Sequence, residues 1–371
     1  MSKLLSQGGF GCVFYPGINC DGSSSNDPSI ATKVQKRDFN SQNESEIGDI
    51  ISKITGYDMF FIPVIDECSV NIRQSNNQSL QKCEVIEDLE NEYVAMDMPF
   101  IKQIEFPEML KTLSSKNMIL TIVESYRYLL MALDKLANAK IIHFDLKLEN
   151  IMFKKETTNP RIIDFGISIP LDKLNDDNMN NYFYIYAPDY YVWCPQICVI
   201  AFLLNETDKD LTSDDVEEIA ELHTEGNRAL DAFSSEFKDN FKELLLMELR
   251  EYVGVKREKV IKTMMDSHET WDNYSLSVMF LRIITLLFPN DDHKNKFVIL
   301  FSQILLMNIH PNPNRRLSIK ETQNKFNDIF MMDGDVSGYL NLAKTFELSK
   351  INTTKRIQED INHLVLPKTK S

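Results

Sequence analysis

The chain has 371 residues, of which 43% are hydrophobic and 26% charged, and it carries a formal net charge of -15. A chain of this length and composition can bury a substantial core, which excludes a disordered protein and predicts one large or two modest domains. The negative charge argues against general nucleic-acid binding, because neutralising phosphates requires a basic face. The predicted partners are therefore proteins or small molecules.

The cysteines and the apolar segments bear on compartment and membrane contact. The six cysteines form no C-x-x-C pair and have no histidine at zinc-binding spacing; they are Cys12, Cys20, Cys68, Cys83, Cys194 and Cys198. We therefore expect reduced thiols in an intracellular compartment. The apolar runs "ICVIAFLL" and "VMFLRIITLLF" are too short to span a bilayer, so no membrane partner is predicted.

The first hundred residues are predicted to be rich in β-strands. The runs "CVFYPGI", "SIATKVQ" and "EYVAMDM" are β-branched or aromatic and are separated by clusters of Gly, Asn, Asp and Ser. One helix is predicted among them, in "ESEIGDIISKI", where isoleucines recur at helical spacing at positions 47, 50, 51 and 54.

A glycine-rich segment, "SQGGFGCVF", lies between two predicted strands. Because glycine lacks a Cβ atom, the backbone amides of Gly8, Gly9 and Gly11 could approach a phosphate chain, although most such segments are only turns. Cys12 within it could react with electrophiles but is more simply a small strand residue.

The next strand, "IATK", places Ala31 and Lys33 on the same face, since side chains alternate along a strand. A small residue there leaves room for a flat base, and the lysine could reach phosphates. Glu44 and Glu46 on the following helix are alternative partners for its ammonium group, and we favour Glu44.

The segment "TIVESYRYLLMALDKLANAK" predicts a helix of about five turns that ends directly before "IIHFDLKLEN". A compact loop can bring Asp145, Lys147 and Asn150 of that stretch to one phosphoryl group. A predicted hairpin of "IMFKK" and "RIIDF" would return Asp164 to the side of Asn150. One aspartate and one asparagine supply the hard oxygen ligands that suit Mg²⁺, and the remaining aspartate could accept a hydroxyl proton.

The segment from 206 to 266 contains 17 acidic and 9 basic residues and predicts helices, with Ser213 as a helix N-cap. Its charges would form a solvated face or, alternatively, a docking surface for basic partners. "NYSLSVMFLRIITLLF" predicts a buried helix, and a polar helix or tail follows at the end of the chain.

These segments together, in this order, resemble the eukaryotic protein kinase superfamily from about residue 3 to about residue 330. The motifs that carry the resemblance are "SQGGFGCV", "IATK", "HFDLKLEN", "DFG", "DNYSLS" and "NPNRRLS". The composition and the opening "GGFGCVFYPGINCDG" are also similar to kinases of large DNA viruses, which would imply the host cytoplasm or the virion as the location.

The resemblance implies a role for each polar residue. Lys33 would hold the α- and β-phosphates of ATP and Glu44 would brace it, while Asn150 and Asp164 would bind Mg²⁺. Asp145 would orient the acceptor hydroxyl and Lys147 would neutralise the transferred phosphoryl group. The remaining nucleotide contacts would come from Gly8, Gly9, Gly11, Val13, Ala31, Met96, Met98 and Met152, with the backbone of Asp97 and Met98 meeting the edge of the base.

The expected fold is α+β with two lobes. Residues 1–98 would form a β-rich, nucleotide-binding lobe with one main helix, and residues 99–335 a mostly helical lobe with the acidic insertion at about 198–268. Residues 336–371 would be a C-terminal extension. The expected activity is transfer of phosphate from Mg-ATP to a serine or threonine of a protein, because a lysine two residues after Asp145 resembles the Ser/Thr form. A pseudokinase scaffold and a small-molecule phosphotransferase are the alternatives.

Two departures from the family pattern matter. Phe144 stands where many relatives have an arginine that pairs with a phosphorylated activation loop, so we predict activity without that phosphorylation. The activation segment could end at "YAPDY" or at "WCPQI", and we favour the second, which pairs Gln196 with Arg316. Since a neutral amide replaces an acid there, another acid or solvent exposure should compensate the arginine.

Overall fold

The N-terminal part is built on a five-stranded antiparallel sheet in the order β1-β2-β3-β5-β4. The computed structural model describes residues 2–9, 11–73, 75, 77–86, 88, 90–287, 296–332 and 353–367. The strands are β1 Lys3–Gln7, β2 Gly11–Tyr15, β3 Ile30–Lys36, β4 Asp66–Val70 and β5 Tyr93–Pro99. The three named runs are confirmed as β2, β3 and β5, and β1 is the strand expected before the glycine-rich segment. Strand β4 was not predicted, because it is largely exposed and lacks apolar alternation.

Helix α1, Phe39–Ile51, follows β3 and is linked to it by the ion pair of Lys33 and Glu44, but it is shifted from its prediction. It begins earlier because the side chain of Asp38 accepts a hydrogen bond from the Ser41 amide (3.0 Å), which caps the first turn. It also ends before Ile54. A Cβ atom on Gly48 would lie 2.2 Å from the carbonyl oxygen of Val64, so the close approach of the helix to this segment requires glycine.

The expectation of reduced thiols is wrong for four of the six cysteines. Disulfides join Cys12 to Cys83 and Cys20 to Cys68, with Cα–Cα distances of 5.9 and 5.7 Å, and Cys12 is therefore not a reactive thiol. The partners are 71 and 48 residues apart in the chain, so no local spacing indicated them. The thiols of Cys194 and Cys198 are free and buried.

The remainder of the described chain is mostly helical, with short paired strands at the junction. The helices are α2 Phe106–Thr112, α3 Ser115–Asn138, α4 Met179–Tyr182, α5 Pro195–Asn205, α6 Ser213–Gly226, α7 Ser235–Arg250, α8 Arg257–Met265, α9 Trp271–Leu287, α10 Lys296–Asn308 and α11 Ile319–Met332. The short strands are β6 Gln103–Ile104, β7 Ile141–Ile142, β8 Ile151–Lys154, β9 Pro160–Ile162 and β10 Ile169–Pro170. The two-lobed α+β architecture is thereby confirmed.

Helix α9 forms the centre of the helical part. Every residue of α9 except Asp272 is buried, as the apolar sequence predicted. Helix α3 packs beside it, and the ring of Tyr126 lies 4.8 to 4.9 Å from the rings of Phe280, Phe301 and Phe326. This core anchors the segments that follow α3 and precede α9.

The acidic insertion is helical, as predicted, but its N-cap prediction is wrong. Thr212, not Ser213, caps α6, because the Thr212 hydroxyl accepts a hydrogen bond from the Asp215 amide while the Asp215 carboxylate accepts one from the Thr212 amide. The reciprocal pair requires a three-residue spacing to the acid, which Thr212 has. The domain boundaries at 98, 198, 268 and 335 stay predictions.

The end of the described chain packs one side against the core and exposes the other. Residues 353–363 are helical, and the side chains of Ile357 and Leu366 are 1% and 8% exposed. We call residues 353–366 the C-terminal segment. The rest of the predicted extension lies outside the described residues, apart from Pro367. None of the helices in the described ranges is long and apolar enough to cross a bilayer.

Candidate active site

Lys33 on β3 is held by two carboxylates. Its Nζ lies 2.7 Å from Oε2 of Glu44 and 3.0 Å from Oδ1 of Asp164. Burial alone would lower the pKa of Lys33, but the attraction of Asp164 and Glu44 outweighs that effect and raises the pKa above its usual value. The preference for Glu44 is confirmed, since Glu46 pairs with Lys173 instead. A permanent cation therefore stands at the junction of β3 and α1.

Asp145 lies in a loop whose backbone is held by a second aspartate, Asp272. The carboxylate of Asp272, at the start of α9, accepts hydrogen bonds from the backbone amides of His143 (2.7 Å) and Phe144 (3.0 Å). Phe144 adopts a positive φ of 71°, a conformation that a non-glycine residue keeps only where its surroundings impose it. No role was predicted for Asp272, although the "DNYSLS" motif marked its position.

Both oxygens of the Asp145 carboxylate have hydrogen-bond donors. The Asn150 amide nitrogen donates to Oδ2 (2.9 Å) and to the Asp145 carbonyl oxygen (2.8 Å), and Lys147 Nζ lies 3.1 Å from Oδ2. The Tyr190 hydroxyl donates to Oδ1 and accepts from Lys147 Nζ (3.0 Å). Sequence reasoning missed Tyr190, which belongs to the "YAPDY" stretch that we considered only as a segment boundary.

The hairpin of β8 and β9 returns the chain to this loop. Ile151 pairs with Ile162, and the Ile163 amide donates to the Asn150 carbonyl oxygen (3.0 Å), so Asp164 follows close to Asn150 as predicted. Asp164 has a positive φ of 63°, and its side chain is 41% exposed. Burial works against ionisation, yet the neighbouring Lys33 holds the pKa of Asp164 below its usual value.

His143 and Phe165 support these residues from the interior. Their rings lie 5.1 Å apart, and His143 Nε2 is 3.1 Å from the Ile163 carbonyl oxygen. Phe165 is 1% exposed. The buried ring of Phe165 thus helps to hold the preceding residue, Asp164, in place.

The side chains of Asn150 and Asp164 fit a magnesium ion. The amide nitrogen of Asn150 is engaged by Asp145, which leaves the amide oxygen for a cation, and Asp164 keeps a second carboxylate oxygen beyond its contact with Lys33. The described part of the chain holds no cluster of three or more His, Cys, Asp or Glu side chains able to hold a metal. A cation on these two residues would take its other ligands from water and phosphate, as Mg²⁺ commonly does.

The predicted nucleotide side is assembled by sheet pairing. Gly8 donates its amide to the Gly11 carbonyl (2.9 Å) at the turn between β1 and β2, and Gly9 lies exposed in that turn. Val13 pairs with Lys33, Lys33 with Met96, and Ala31 with Met98 across the sheet.

The apolar residues of the nucleotide side differ in exposure, and therefore in whether they can contact a base. Val13, Met98 and Met152 keep part of their surface exposed, whereas Ala31 and Met96 are buried, Met96 packing with Val64 and Val94. The carbonyl oxygen of Asp97, which the resemblance aimed at the base edge, accepts a hydrogen bond from the Ile65 amide (2.8 Å) in the structure.

One small pocket joins the charged residues. Lys33, Glu44, Asp145 and Asp164 line it together, although 131 residues separate the first from the last. The structure therefore brings the predicted amine and both predicted aspartates to a single site.

The activation segment is tied at both ends. The buried amide of Asn43, on α1, donates to the carbonyl oxygens of Gly166 (3.0 Å) and Ser168 (2.8 Å). At the far end, Arg316 donates to Gln196 Oε1 (2.6 Å), which confirms the predicted pair.

Arg316 is buried and forms no salt bridge with an acid in the described ranges, although Glu248 lies near enough for the two charges to interact. Instead the arginine donates to the carbonyl oxygen of His310 (2.8 Å) and to the Thr270 hydroxyl (3.1 Å), and it stacks over the Tyr274 ring at 5.0 Å. Neutral acceptors and an aromatic face thus take the place of the acid.

A sheet-rich lobe joined to a helical lobe, with a lysine held by two carboxylates next to an Asp-Lys-Asn loop, is the arrangement of the protein-kinase class. The protein kinase domain family matches residues 2–190, just over half of the chain, and the chain belongs to this family. A probable serine/threonine-protein kinase, fnkB, from Dictyostelium discoideum is 44% identical over 48 residues, which are 13% of this chain and 9% of that protein.

Proposed function

We propose that the protein is a serine/threonine kinase that transfers the γ-phosphate of Mg-ATP to a protein hydroxyl. The observation that carries this proposal is the single cavity shared by Lys33, Asp145 and Asp164. Protein-kinase family membership supports phosphoryl transfer to proteins. The Ser/Thr preference rests on Lys147 and on the short match to fnkB, which is named as a probable serine/threonine-protein kinase.

The chain's own residues provide positioning and charge. Lys33 would neutralise the non-transferred phosphates, and Lys147 would face the transferred phosphoryl group. Mg²⁺, held by Asn150 and Asp164, would supply further charge compensation when bound. Asp145 would accept the acceptor proton as the new O–P bond forms and the bond from the γ-phosphorus to the ADP oxygen breaks.

The contacts around Lys33 and Asp145 favour an enzyme over a pseudokinase scaffold. Each of these groups is oriented by partners more than ten residues away or by a neighbouring loop residue. Buried charges are costly to keep without a use, because each requires matched partners. A small-molecule phosphotransferase finds no specific support in the geometry.

The test is transfer of radiolabelled phosphate from ATP to generic acidic and basic proteins. Lys33→Met and Asp145→Asn remove the phosphate cation and the proton acceptor, and we expect each to lower the rate at least about a hundredfold. Lys173→Met, at an exposed ion pair, serves as a matched control and should retain activity. Equal incorporation by the wild type and both site variants would contradict the proposal.

A further inference from the structure

The C-terminal segment places a carboxylate in a basic pocket. Asp360 Oδ1 accepts hydrogen bonds from Nε (3.1 Å) and Nη2 (2.9 Å) of Arg282, and Arg228 Nη1 lies 3.1 Å from the same oxygen. The Tyr191 hydroxyl donates to Oδ2 (3.3 Å). Arg282 and Asp360 are 9% and 8% exposed, so this ion pair is largely removed from water.

The pocket belongs to the acceptor side of the active site. Tyr191 directly follows Tyr190, whose hydroxyl donates to Asp145. A small cavity lies between the loop residues Lys147 and Glu149 and the C-terminal segment, where Asp360 and Ile361 line it. Lys147 thus contacts Asp145 on one side and faces this cavity on the other.

A substrate chain would have to pass over this surface. Its acceptor hydroxyl must reach hydrogen-bonding distance of Asp145, and an extended chain advances about 3.3 Å per residue. Side chains a few residues from the acceptor therefore fall in the region that the C-terminal segment covers. A group that occupies this region should supply an anion, because Asp231, with a side chain 45% exposed, is the one other carboxylate that pairs with Arg282 among the described residues.

We propose that Arg228, Arg282 and Tyr191 form a binding site for an acidic side chain of the substrate polypeptide, and that the C-terminal segment occupies this site as an intramolecular competitor. Apolar residues around Asp360 complete the recognition. Ile357 is 1% exposed, and Ile361 packs against the core, so a ligand with an acidic residue flanked by aliphatic ones matches the surface. This inference rests on the proposed kinase function.

The first test uses the full chain with Asp360→Asn. Glu359→Gln is the matched control, since Glu359 occupies the adjacent position, its side chain is exposed, and it pairs with the exposed Lys355 at 3.7 Å. The substrates are two serine peptides that differ only in carrying an aspartate or an arginine near the serine. Releasing the segment should lower KM for the acidic peptide by up to about tenfold, as expected when a competitor no longer masks most of the sites.

In that assay kcat should change little, and the control should behave as the wild type. An unchanged or higher KM for the acidic peptide in Asp360→Asn, or an equal gain for the basic peptide, would overturn the inference.

A binding measurement separates this inference from the proposed function. A fluorescent peptide of residues 353–366 is titrated with full-length Asp360→Asn protein, and fluorescence anisotropy reports binding. We expect binding that the acidic acceptor peptide displaces and ATP does not, with the same peptide bearing asparagine at position 360 binding about tenfold more weakly.

The absence of binding, or binding that the acidic peptide fails to displace, contradicts the site. If these expectations hold while no protein transfers phosphate, the kinase proposal fails and the acidic-residue site stands.

Discussion

The two sides of the active site are built in different ways. The nucleotide side depends on a salt bridge from β3 to α1 and on strand pairing within one sheet. The acceptor side joins Asp145 to residues of the activation segment, the central helix α9 and the C-terminal segment. The first is a compact unit, whereas the second is assembled from four separated parts of the chain.

Because the two sides are built from different contacts, a substitution on one side should impair that side's function and leave the other side's function intact. Changes among the acceptor-side contacts should alter turnover and peptide binding while KM for ATP is kept. Changes to the sheet should act mainly on ATP.

Asp272→Ala should damage the acceptor side most. It leaves the backbone amides of His143 and Phe144 without their acceptor, which should cost about 4 kcal/mol in the free energy of unfolding at 1–3 kcal/mol for each amide. Displacement of Asp145 should also lower kcat about a hundredfold. Denaturant titration and steady-state kinetics measure both quantities.

The control for this change is Asp266→Ala, at an exposed position just before α9. KM for ATP should stay at the wild-type value in the Asp272 variant. A large rise of that KM would show that the two sides are not separable.

Replacing both Cys12 and Cys83 by serine should weaken the nucleotide side. The disulfide closes 71 residues of chain and ties β2, next to the glycine turn, to a distant loop. Its loss should lower the free energy of unfolding by about 3 kcal/mol, chiefly because the unfolded chain gains freedom. KM for ATP should rise more than KM for a peptide substrate.

Unfolding with and without dithiothreitol, together with peptide mapping under non-reducing conditions, tests this link. Wild-type protein that unfolds identically in both conditions and yields no cross-linked peptides would contradict it. That result would also agree with the predicted intracellular location, because disulfides are typical of oxidising environments.

The contrast between the two sides also explains what the sequence could predict. Asp145, Lys147 and Asn150 lie in one short loop, and a hairpin brings Asp164 back to it, so local geometry fixes their relation. Tyr190 and Asp360 make their contacts across 45 and 78 residues, respectively, and no spacing rule connects them to Asp145 or Arg282.

The same reasoning applies to the fold. The helix α9 and the strands of high β-branched content were predicted because they are buried and their apolar residues repeat. Strands β1 and β4 are held in place by neighbouring strands, although their own residues face solvent. The disulfides likewise depend on the completed sheet, which a chain of scattered cysteines does not reveal.

Glu149→Gln should have a smaller effect that depends on pH. Burial raises the pKa of Glu149 from 4.5 to about 7. Between these values the unfolded chain loses the proton that the folded chain keeps, so stability falls as pH rises and the loss is complete above pH 7. Glutamine cannot ionise, so the variant should gain on the order of 2 kcal/mol over the wild type at pH 8 and little at pH 4.5.

Urea denaturation at both pH values measures this difference, with the exposed Glu156→Gln as the control. If the difference in the free energy of unfolding between the variant and the wild type is the same at both pH values, burial does not raise the pKa of Glu149.

Phosphatase treatment should have the smallest effect, namely none on activity. The ring of Phe144 lies 5.0 Å from Trp193 and 5.3 Å from Phe183, and its carbonyl oxygen accepts a hydrogen bond from the Trp193 indole (2.8 Å). An apolar cluster therefore stands where a cation would be needed to pair with a phosphorylated segment. The start of that segment is held instead by Asn43.

The measurement compares treated and mock-treated protein, with mass spectrometry showing that phosphate has been removed. If removal causes a large loss of activity, a phosphate must order the segment despite these contacts. The acceptor side would then depend on a modification as well as on packing. The nucleotide side would not, so the two sides would differ more than the contacts of the unmodified chain indicate.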